Sequence, residues 1–146
     1  MDSLAYSVFK KMYSKDGFSE WLGISCVLAE ESHCILKMSI RPEMLNGFGI
    51  AHGGIVYSLC DSAFAFCCNS HNRISVSIET NISHTKAIHQ GDNITAEAKM
   101  VSQSNKIGNY EVIARNQSDE IVAIFKGVCY RTSQTHFDFG SPHSPK

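Results

Sequence analysis

The segment NGFGIAHGGIVYSLCDSAFAFCCN, residues 46–69, decides the fold of this 146-residue chain. A glycine-rich loop opens it, and the longest apolar run of the sequence follows. From Gly53 to Asn69, Asp61 is the only formally charged side chain. Because the run is apolar at nearly every position, it predicts a long helix that is buried on almost all sides.

The rest of the chain supplies elements that could cover this helix. Residues 3–14 carry apolar side chains at helical spacing, which predicts a short amphipathic helix; Gly17 is expected to end it, and a turn to follow. Apolar and polar residues then alternate over residues 24–40, as in a hairpin, and again in several strands after His71. Short turns between these later strands favour antiparallel pairing.

We therefore predict an α+β fold in which one curved antiparallel sheet wraps around a single long central helix, with a short N-terminal helix beside it. Residues 1–131 form one domain in this prediction. Residues 132–146 form an irregular or disordered tail, because periodicity is lost there and Ser, Pro and Gly accumulate. No other helical segment is long and apolar enough to cover the rest of the central helix, so a second subunit is expected to do so.

Composition and charge argue against several classes of protein. The formal net charge of -1 speaks against a broad nucleic-acid-binding surface. Asp61 interrupts the only run that approaches membrane-spanning length, so no membrane contact is expected. The six cysteines lack zinc-site spacing and no secretory leader is evident, which indicates buried thiols in a cytoplasmic protein. The scattered histidines and the absence of a phosphate-binding loop predict neither a metal nor a cofactor.

Gly53 and Gly54 lie where the central helix should begin. A helix N-terminus carries unpaired N–H groups and a partial positive charge, and glycine lets a ligand approach the backbone closely. The pair therefore suits an anion, or a carbonyl oxygen that becomes an oxyanion. A plain tight turn into a helix would also explain the sequence His52-Gly53-Gly54.

Asp61 indicates a functional site more specifically than the Gly53-Gly54 pair does. Burial of a carboxylate in an apolar helix is costly unless it is paired, and no basic residue lies three or four positions away. Asp61 is either a satisfied structural residue at a subunit interface, or it faces a pocket as a nucleophile or as a base that activates water. Gly53 lies eight residues away, about 12 Å along a helix. Both can serve one carbonyl only if two copies of the helix run antiparallel across a two-fold axis.

Several strings taken together resemble the hotdog-fold acyl-CoA thioesterases, in particular the phenylacetate-degradation or PaaI-type branch. They are the loop from Asn46 to His52-Gly53-Gly54, Asp61-Ser62-Ala63-Phe64-Ala65, Gly91-Asp92, Lys106-Ile107-Gly108-Asn109-Tyr110 and Val122-Ala123-Ile124-Phe125. The likeness spans residues 18–131. It implies hydrolysis of an aromatic, phenylacetyl-type, or medium-chain acyl-CoA to a free acid and CoA, by a homo-oligomer that is commonly a tetramer of two dimers.

The resemblance also implies roles for single residues. Asp61 would attack the thioester carbonyl or activate water, and the Gly53 amide would polarise that carbonyl. Asn46 and His52 match positions that orient the substrate or its leaving sulfur, and Ser77 matches one where a hydroxyl positions water. Two of these residues have plainer explanations: His52 as a loop histidine that caps the turn, and Asn46 as a turn residue that tolerates a left-handed conformation.

A further group is expected to contact the substrate. Lys86 and Lys106 fall where the branch often has arginine, and they would meet the phosphates of CoA. Phe48 and Tyr57 are candidate walls of an acyl pocket, with Gly54 near them at the start of the helix. Ordinary core packing would also explain the two aromatic residues, and a surface lysine is usually only a solubilising charge.

Two positions depart from the branch. His84 stands where it often has an aromatic residue, and Cys60 where it often has alanine; both bear on the shape of the acyl group. The alternative function is a protein of the same fold that binds acyl-CoA without cleaving it. A hotdog dehydratase would need a histidine–carboxylate pair in a local pattern that this sequence lacks.

Overall fold

The computed structural model describes residues 1–140, in which one six-stranded antiparallel sheet curls over one long helix. The helices are α1 (Leu4–Tyr13), α2 (Gly17–Leu22) and α3 (Gly53–Cys68), with a single 3-10 turn at Pro42–Met44. The strands are β1 (Ser25–Glu30), β2 (His33–Ser39), β3 (Arg73–His84), β4 (Asn93–Gln103), β5 (Ile107–Arg115) and β6 (Ile121–Thr135). This arrangement confirms the predicted α+β hotdog architecture.

The strand order in the sheet is β1-β2-β4-β5-β6-β3, and all neighbours are antiparallel. Strand β3 follows the central helix in sequence, yet it pairs with the last strand and forms one edge of the sheet. Strands that precede α3 in sequence and strands that follow it therefore belong to the same sheet, which covers the helix. The two edge strands of the sheet are β1 and β3.

Helix α3 buries an apolar face against the concave side of the sheet. Its buried side chains recur at spacings of three and four and include Val56, Leu59, Ala63 and Phe64. The Phe64 ring lies directly on Gly127 of β6, where a β-carbon would come within 2.8 Å of the ring. Only glycine permits this close approach. Full burial of a phenylalanine contributes on the order of 2 kcal/mol to stability.

Two boundaries differ from the sequence expectation. Asp16 accepts a hydrogen bond from the Ser19 amide at 2.9 Å and so caps α2, which means that Gly17 begins a helix where a turn was predicted. Strand β6 runs to Thr135, so the predicted domain boundary at residue 131 falls inside it. The amide of His136 then donates to the Asn72 carbonyl at 3.0 Å. Residues 141–146 of the predicted tail lie outside the described residues.

Strand β3 contains a bulge that simple alternation does not reveal. Ser77 pairs with Cys129 and Thr80 with Gly127, and the register shifts between Ser77 and Glu79. Because Cys129 and Gly127 both face α3, Ser77 and Thr80 face it too, although they have opposite parity in the sequence. Before the bulge the odd-numbered residues of β3 face α3, and after it the even-numbered residues do.

Candidate active site

The start of α3 offers one free amide. His52 is the N-cap, and its Nδ1 accepts a hydrogen bond from the Gly54 amide at 2.9 Å. The next amide, that of Ile55, donates to the His52 carbonyl at 2.9 Å. The Gly53 amide has no hydrogen-bond partner among residues 1–140. Of the two glycines singled out in the sequence, Gly53 alone presents an unpaired donor at the positive end of the helix dipole.

A cleft of about 370 Å³, here called the Gly53 cleft, opens beside that amide. It is lined by Asn46, Ile50, Ala51, Gly53, Val56, His84, Thr85, Lys86, Ala87 and Ile88. Three of the sequence-predicted site residues, Asn46, Gly53 and Lys86, are thus brought together. The mixture of apolar walls and a few polar groups is typical of a site for an organic ligand.

Asn46 both shapes the loop and faces the cleft. Its Oδ1 accepts hydrogen bonds from the amides of Phe48 at 2.9 Å and Ile50 at 3.4 Å. This is the turn role considered from the sequence, but the left-handed backbone belongs to Gly49, at φ 76°, and not to Asn46. The Nδ2 group of Asn46 has no partner among residues 1–140 and is therefore available as a donor on the wall of the cleft.

His52 and Gly54 line a different cleft, on the other side of the helix start. Its volume is about 270 Å³, and Phe18, Trp21 and Ser58 contribute to its walls. The side chain of His52 caps α3; the plainer explanation from the sequence had a capping role for this residue, but in the turn and not at the helix. Within one chain the structure therefore separates these two residues from the Gly53 cleft.

The two lysines lie far apart in a single chain. Lys86 lines the Gly53 cleft and forms an ion pair with Glu120. Lys106 precedes β5, and its carbonyl accepts a hydrogen bond from the Arg131 amide at 2.7 Å. Strand β6 runs between these two places for seven or more residues, a separation of roughly 23 Å.

The two aromatic candidates also differ in their surroundings. Phe48 is 91 % exposed and lines neither of the two clefts at the start of α3. Tyr57 is half-buried; its hydroxyl pairs with Thr80 Oγ1, and its ring packs edge-on against Phe125 with centroids 5.5 Å apart. Tyr57 is therefore part of the contact between α3 and the sheet.

Asp61 lies midway along α3 and is half-buried without a partner. Its carboxylate accepts no hydrogen bond from residues 1–140, since Ser58 donates to the Gly54 carbonyl at 2.7 Å and Tyr57 is bonded to Thr80. Burial raises the pKa of the Asp61 carboxyl above its usual value. A carboxylate in this condition is typical of a functional site.

Ser77 is exposed although it lies on the helix-facing side of β3. Helix and strand run in opposite directions, because Asn69 contacts Ser75 at one end and Gly53 contacts His84 at the other. Ser77 therefore lies towards the C-terminal half of α3, away from the Gly53 cleft of its own chain.

Sequence reasoning did not assign His84 to the site, although its side chain lines the Gly53 cleft. His84 ends β3, and a β-carbon placed on Gly53 would lie 3.2 Å from its Nε2 atom. The only signal in the sequence was the departure from the aromatic residue that the resembling branch often has there. The bulge in β3 decides which way His84 faces, and the alternation pattern gave no sign of it.

Residues 1–140 contain neither a metal-ligand cluster nor a membrane-spanning helix. Among residues 1–140, no group of three or more His, Cys, Asp or Glu side chains is arranged to hold a metal ion. No helix in this part of the chain has the length and apolarity needed to cross a bilayer.

Comparison with known proteins gives the family. The family model of the thioesterase superfamily matches residues 48–123. The acyl-coenzyme A thioesterase PaaI of Escherichia coli K12 is 33% identical over 92% of this chain and 96% of its own. The structure of E. coli PaaI superimposes with a TM-score of 0.89, at 32% identity, covering 90% of this chain and 96% of that one. A mutant of the phenylacetic acid degradation protein PaaI from Thermus thermophilus gives a TM-score of 0.77 at 28% identity, covering 80% and 100%.

Fold and family together define a class, the thioester hydrolases of the hotdog fold. Within that class, the chain belongs to the thioesterase superfamily and to its PaaI-type branch. The resemblance inferred from the sequence motifs is thereby confirmed.

Proposed function

We propose that this protein hydrolyses an aromatic, phenylacetyl-type, or medium-chain acyl-CoA to the free acid and CoA. The observation that carries the proposal is the unpaired Gly53 amide, which opens onto a cleft at the positive end of α3. The likeness to a relative named acyl-coenzyme A thioesterase supports the substrate class. The acyl group of this substrate is taken from the branch and not from the shape of the cleft.

The Gly53 amide polarises the thioester. The carbonyl oxygen accepts a hydrogen bond from this N–H group, and the helix dipole stabilises the negative charge that grows on the oxygen. The carboxylate of Asp61 either adds to the carbonyl carbon or takes a proton from the water that adds to it. The carbon–sulfur bond then breaks, and CoA leaves as a thiolate that takes up a proton. If water has added, the acyl group is released at once as the free acid. If Asp61 has added, the product is a mixed anhydride, and a water molecule then cleaves its acyl–oxygen bond to release the acid and restore the carboxylate.

The two groups come from different chains in this proposal. Asp61 and Gly53 of one helix are about 12 Å apart, so the Gly53 cleft is completed by Asp61 of the partner subunit. An edge strand such as β3 invites pairing with a second copy, and its Val76 and Ile78 side chains are 50% and 57% exposed. We extend this to a homotetramer of two such dimers by analogy with the branch.

The remaining residues are assigned by position. Asn46 Nδ2 orients the thioester in the Gly53 cleft, and Ser77 positions water for the Asp61 carboxylate. His52 holds the start of α3 in place through its bond to the Gly54 amide.

Contacts with CoA and the acyl chain complete the proposal. Lys86 meets phosphate at the mouth of the Gly53 cleft, and Lys106 reaches it from the partner subunit. Phe48 is exposed in one chain and becomes an acyl-pocket wall in the dimer, and Tyr57 is assigned as a second wall. The cysteine pattern continues to favour a cytoplasmic setting.

Thiol release from a panel of phenylacetyl-CoA and fatty acyl-CoAs tests the function. Asp61→Asn keeps the shape but removes the base, so the rate is expected to fall about 1000-fold. Asp138→Asn changes an exposed carboxylate far along the chain and should act like the wild type. A folded Asp61→Asn variant that turns over at the wild-type rate would refute the role of Asp61. Tight acyl-CoA binding without thiol release by the wild-type protein would instead favour the binding-protein alternative.

A further inference from the structure

The start of α3 offers no second backbone donor beside the Gly53 amide. Oxyanion sites stabilise charge through donors that are already aimed at the developing oxyanion. In α3 the Gly54 amide is taken by His52 Nδ1, and the Ile55 amide is taken by the His52 carbonyl. The helix start therefore offers the Gly53 amide alone, and a second donor to the same oxygen has to come from a group outside the helix.

His84 is placed where such a donor would stand. A β-carbon on Gly53 would lie 3.2 Å from Nε2 and 3.3 Å from Cε1 of this imidazole, so the ring rests against the Gly53 backbone. The Nε2 atom is then within about 6 Å of the Gly53 nitrogen. One oxygen atom that accepts two hydrogen bonds of about 2.9 Å each spans that gap.

The imidazole is also free to act. Its neighbours are engaged, since Thr85 Oγ1 donates to the Ile121 carbonyl and Lys86 is paired with Glu120. The His84 side chain makes no hydrogen bond or ion pair within residues 1–140, and it lines the Gly53 cleft together with Asn46 and Ile50. An exposed ring held against a helix start without any polar partner points to a ligand as its partner.

We propose that the Nε2–H group of His84 is the second donor to the thioester oxygen, beside the Gly53 amide. The oxygen accepts both bonds as the nucleophile adds, and it keeps both while the carbon–sulfur bond breaks. The resembling branch often has an aromatic residue at this position, so the imidazole is a departure of this chain from the branch. The inference rests on the proposed thioesterase function and adds a catalytic residue to it.

Steady-state kinetics of His84→Phe and His84→Gln test this assignment. Phenylalanine keeps a flat ring against Gly53 but has no donor, so kcat should fall about 100-fold while KM changes less than about threefold. Glutamine offers a side-chain N–H and should recover about tenfold of that loss. His84→Ala should regain activity when imidazole is added, a readout that compares one protein with itself and so does not depend on a shared fold.

Other outcomes are decisive in the opposite direction. If His84→Phe keeps the wild-type kcat and only shifts KM among acyl-CoAs, His84 shapes the acyl pocket and the donor role is overturned. The same holds if imidazole leaves His84→Ala unchanged. A failure of the proposed function looks different, because wild-type protein would then release no thiol from any member of the panel, or Asp61→Asn would remain fully active.

Discussion

The two ends of α3 differ in how completely their polar groups are paired. At the C-terminal end, Asn69 Nδ2 donates to the carbonyls of Ala65 and Ser75 at 2.8 and 3.1 Å. Its Oδ1 accepts from the Ser75 amide at 2.9 Å and pairs with His136 Nε2 at 2.7 Å. Every hydrogen-bonding position of this buried amide is occupied, so this end of the helix is fixed to the sheet.

The N-terminal end is the opposite case. The Gly53 amide, Asn46 Nδ2 and the His84 ring have no partner within residues 1–140, and they border one cleft. All three groups are accessible to solvent, so a ligand in the cleft could replace water as their hydrogen-bond partner. One helix therefore serves two purposes: its saturated end holds the fold, and its unsaturated end is left for a ligand.

Breaking the saturated end should cost the most stability. Asn69→Ala leaves the buried Ser75 amide and carbonyl unpaired, and we expect a loss of about 3 kcal/mol in the free energy of unfolding. Urea unfolding measures this, with Gln90→Ala as a control that changes an exposed amide side chain and should shift stability by less than about 0.5 kcal/mol. The kcat of folded Asn69→Ala should stay near wild type; a kcat loss as large as that of Asp61→Asn would contradict the division between the two ends.

Filling the unsaturated end should reduce activity and leave the fold intact. In Gly53→Ala the new methyl group meets His84 and narrows the approach to the free amide, so kcat/KM should fall about 100-fold. Gly17→Ala is the matched control, since Gly17 is also the first residue of a helix and a β-carbon there meets nothing within 4 Å. Equal activities of the two variants would show that the Gly53 amide does not meet the substrate.

Asp61 predicts a pH dependence with a definite sign. Because burial raises the pKa of this carboxyl above its usual value, its charged form destabilises the folded chain at neutral pH. Stability should therefore increase as pH falls through the raised pKa, while activity falls because the carboxylate is lost. Asp61→Asn should be at least as stable as wild type at pH 7, and the difference should vanish below the unfolded pKa. Urea unfolding between pH 3 and 8 would contradict this if the variant were less stable throughout.

The smallest effect is expected from Lys86. Its exposed ion pair with Glu120 contributes little to stability, so Lys86→Ala should alter mainly the binding of a charged substrate. We expect KM for acyl-CoA to rise about threefold at low salt and less at high salt. Lys99→Ala removes a comparably exposed lysine that is paired with Glu97 and lies outside the cleft, and its KM should not change. If KM rose equally in both variants, Lys86 would act only as one of many surface charges and not as a specific contact with the substrate.

Patterns local to the central segment predicted its structure well. The apolar run after His52 gave α3 from Gly53 onwards, and alternation gave β5 at residues 107–115. Asp16 as a cap of α2 was missed because a six-residue helix has too few turns to show a period. The bulge after Ser77 arises from pairing with a strand about fifty residues away, so no local pattern could reveal it.

The sequence predicted several residues of the site, but it did not predict their hydrogen-bond partners and contacts. Unusual residue types, glycine at a helix start and aspartate in an apolar helix, marked Gly53 and Asp61. Which amide His52 would bind was not predictable, because a capping histidine can satisfy one of several orphan N–H groups at similar cost. His84 became visible only when the sheet placed the end of β3 beside the start of α3.

The position of β3 at the sheet edge has a consequence for the order of folding. Its partners on β6 lie from 39 residues (His84 with Ala123) to 62 residues (Arg73 with Thr135) further along the chain. Such non-local pairing forms slowly, and during synthesis β3 emerges well before the strand that holds it. The edge proposed to join two copies therefore takes shape only when the last strand is in place. The two-chain site would then assemble only from polypeptides whose synthesis has reached β6.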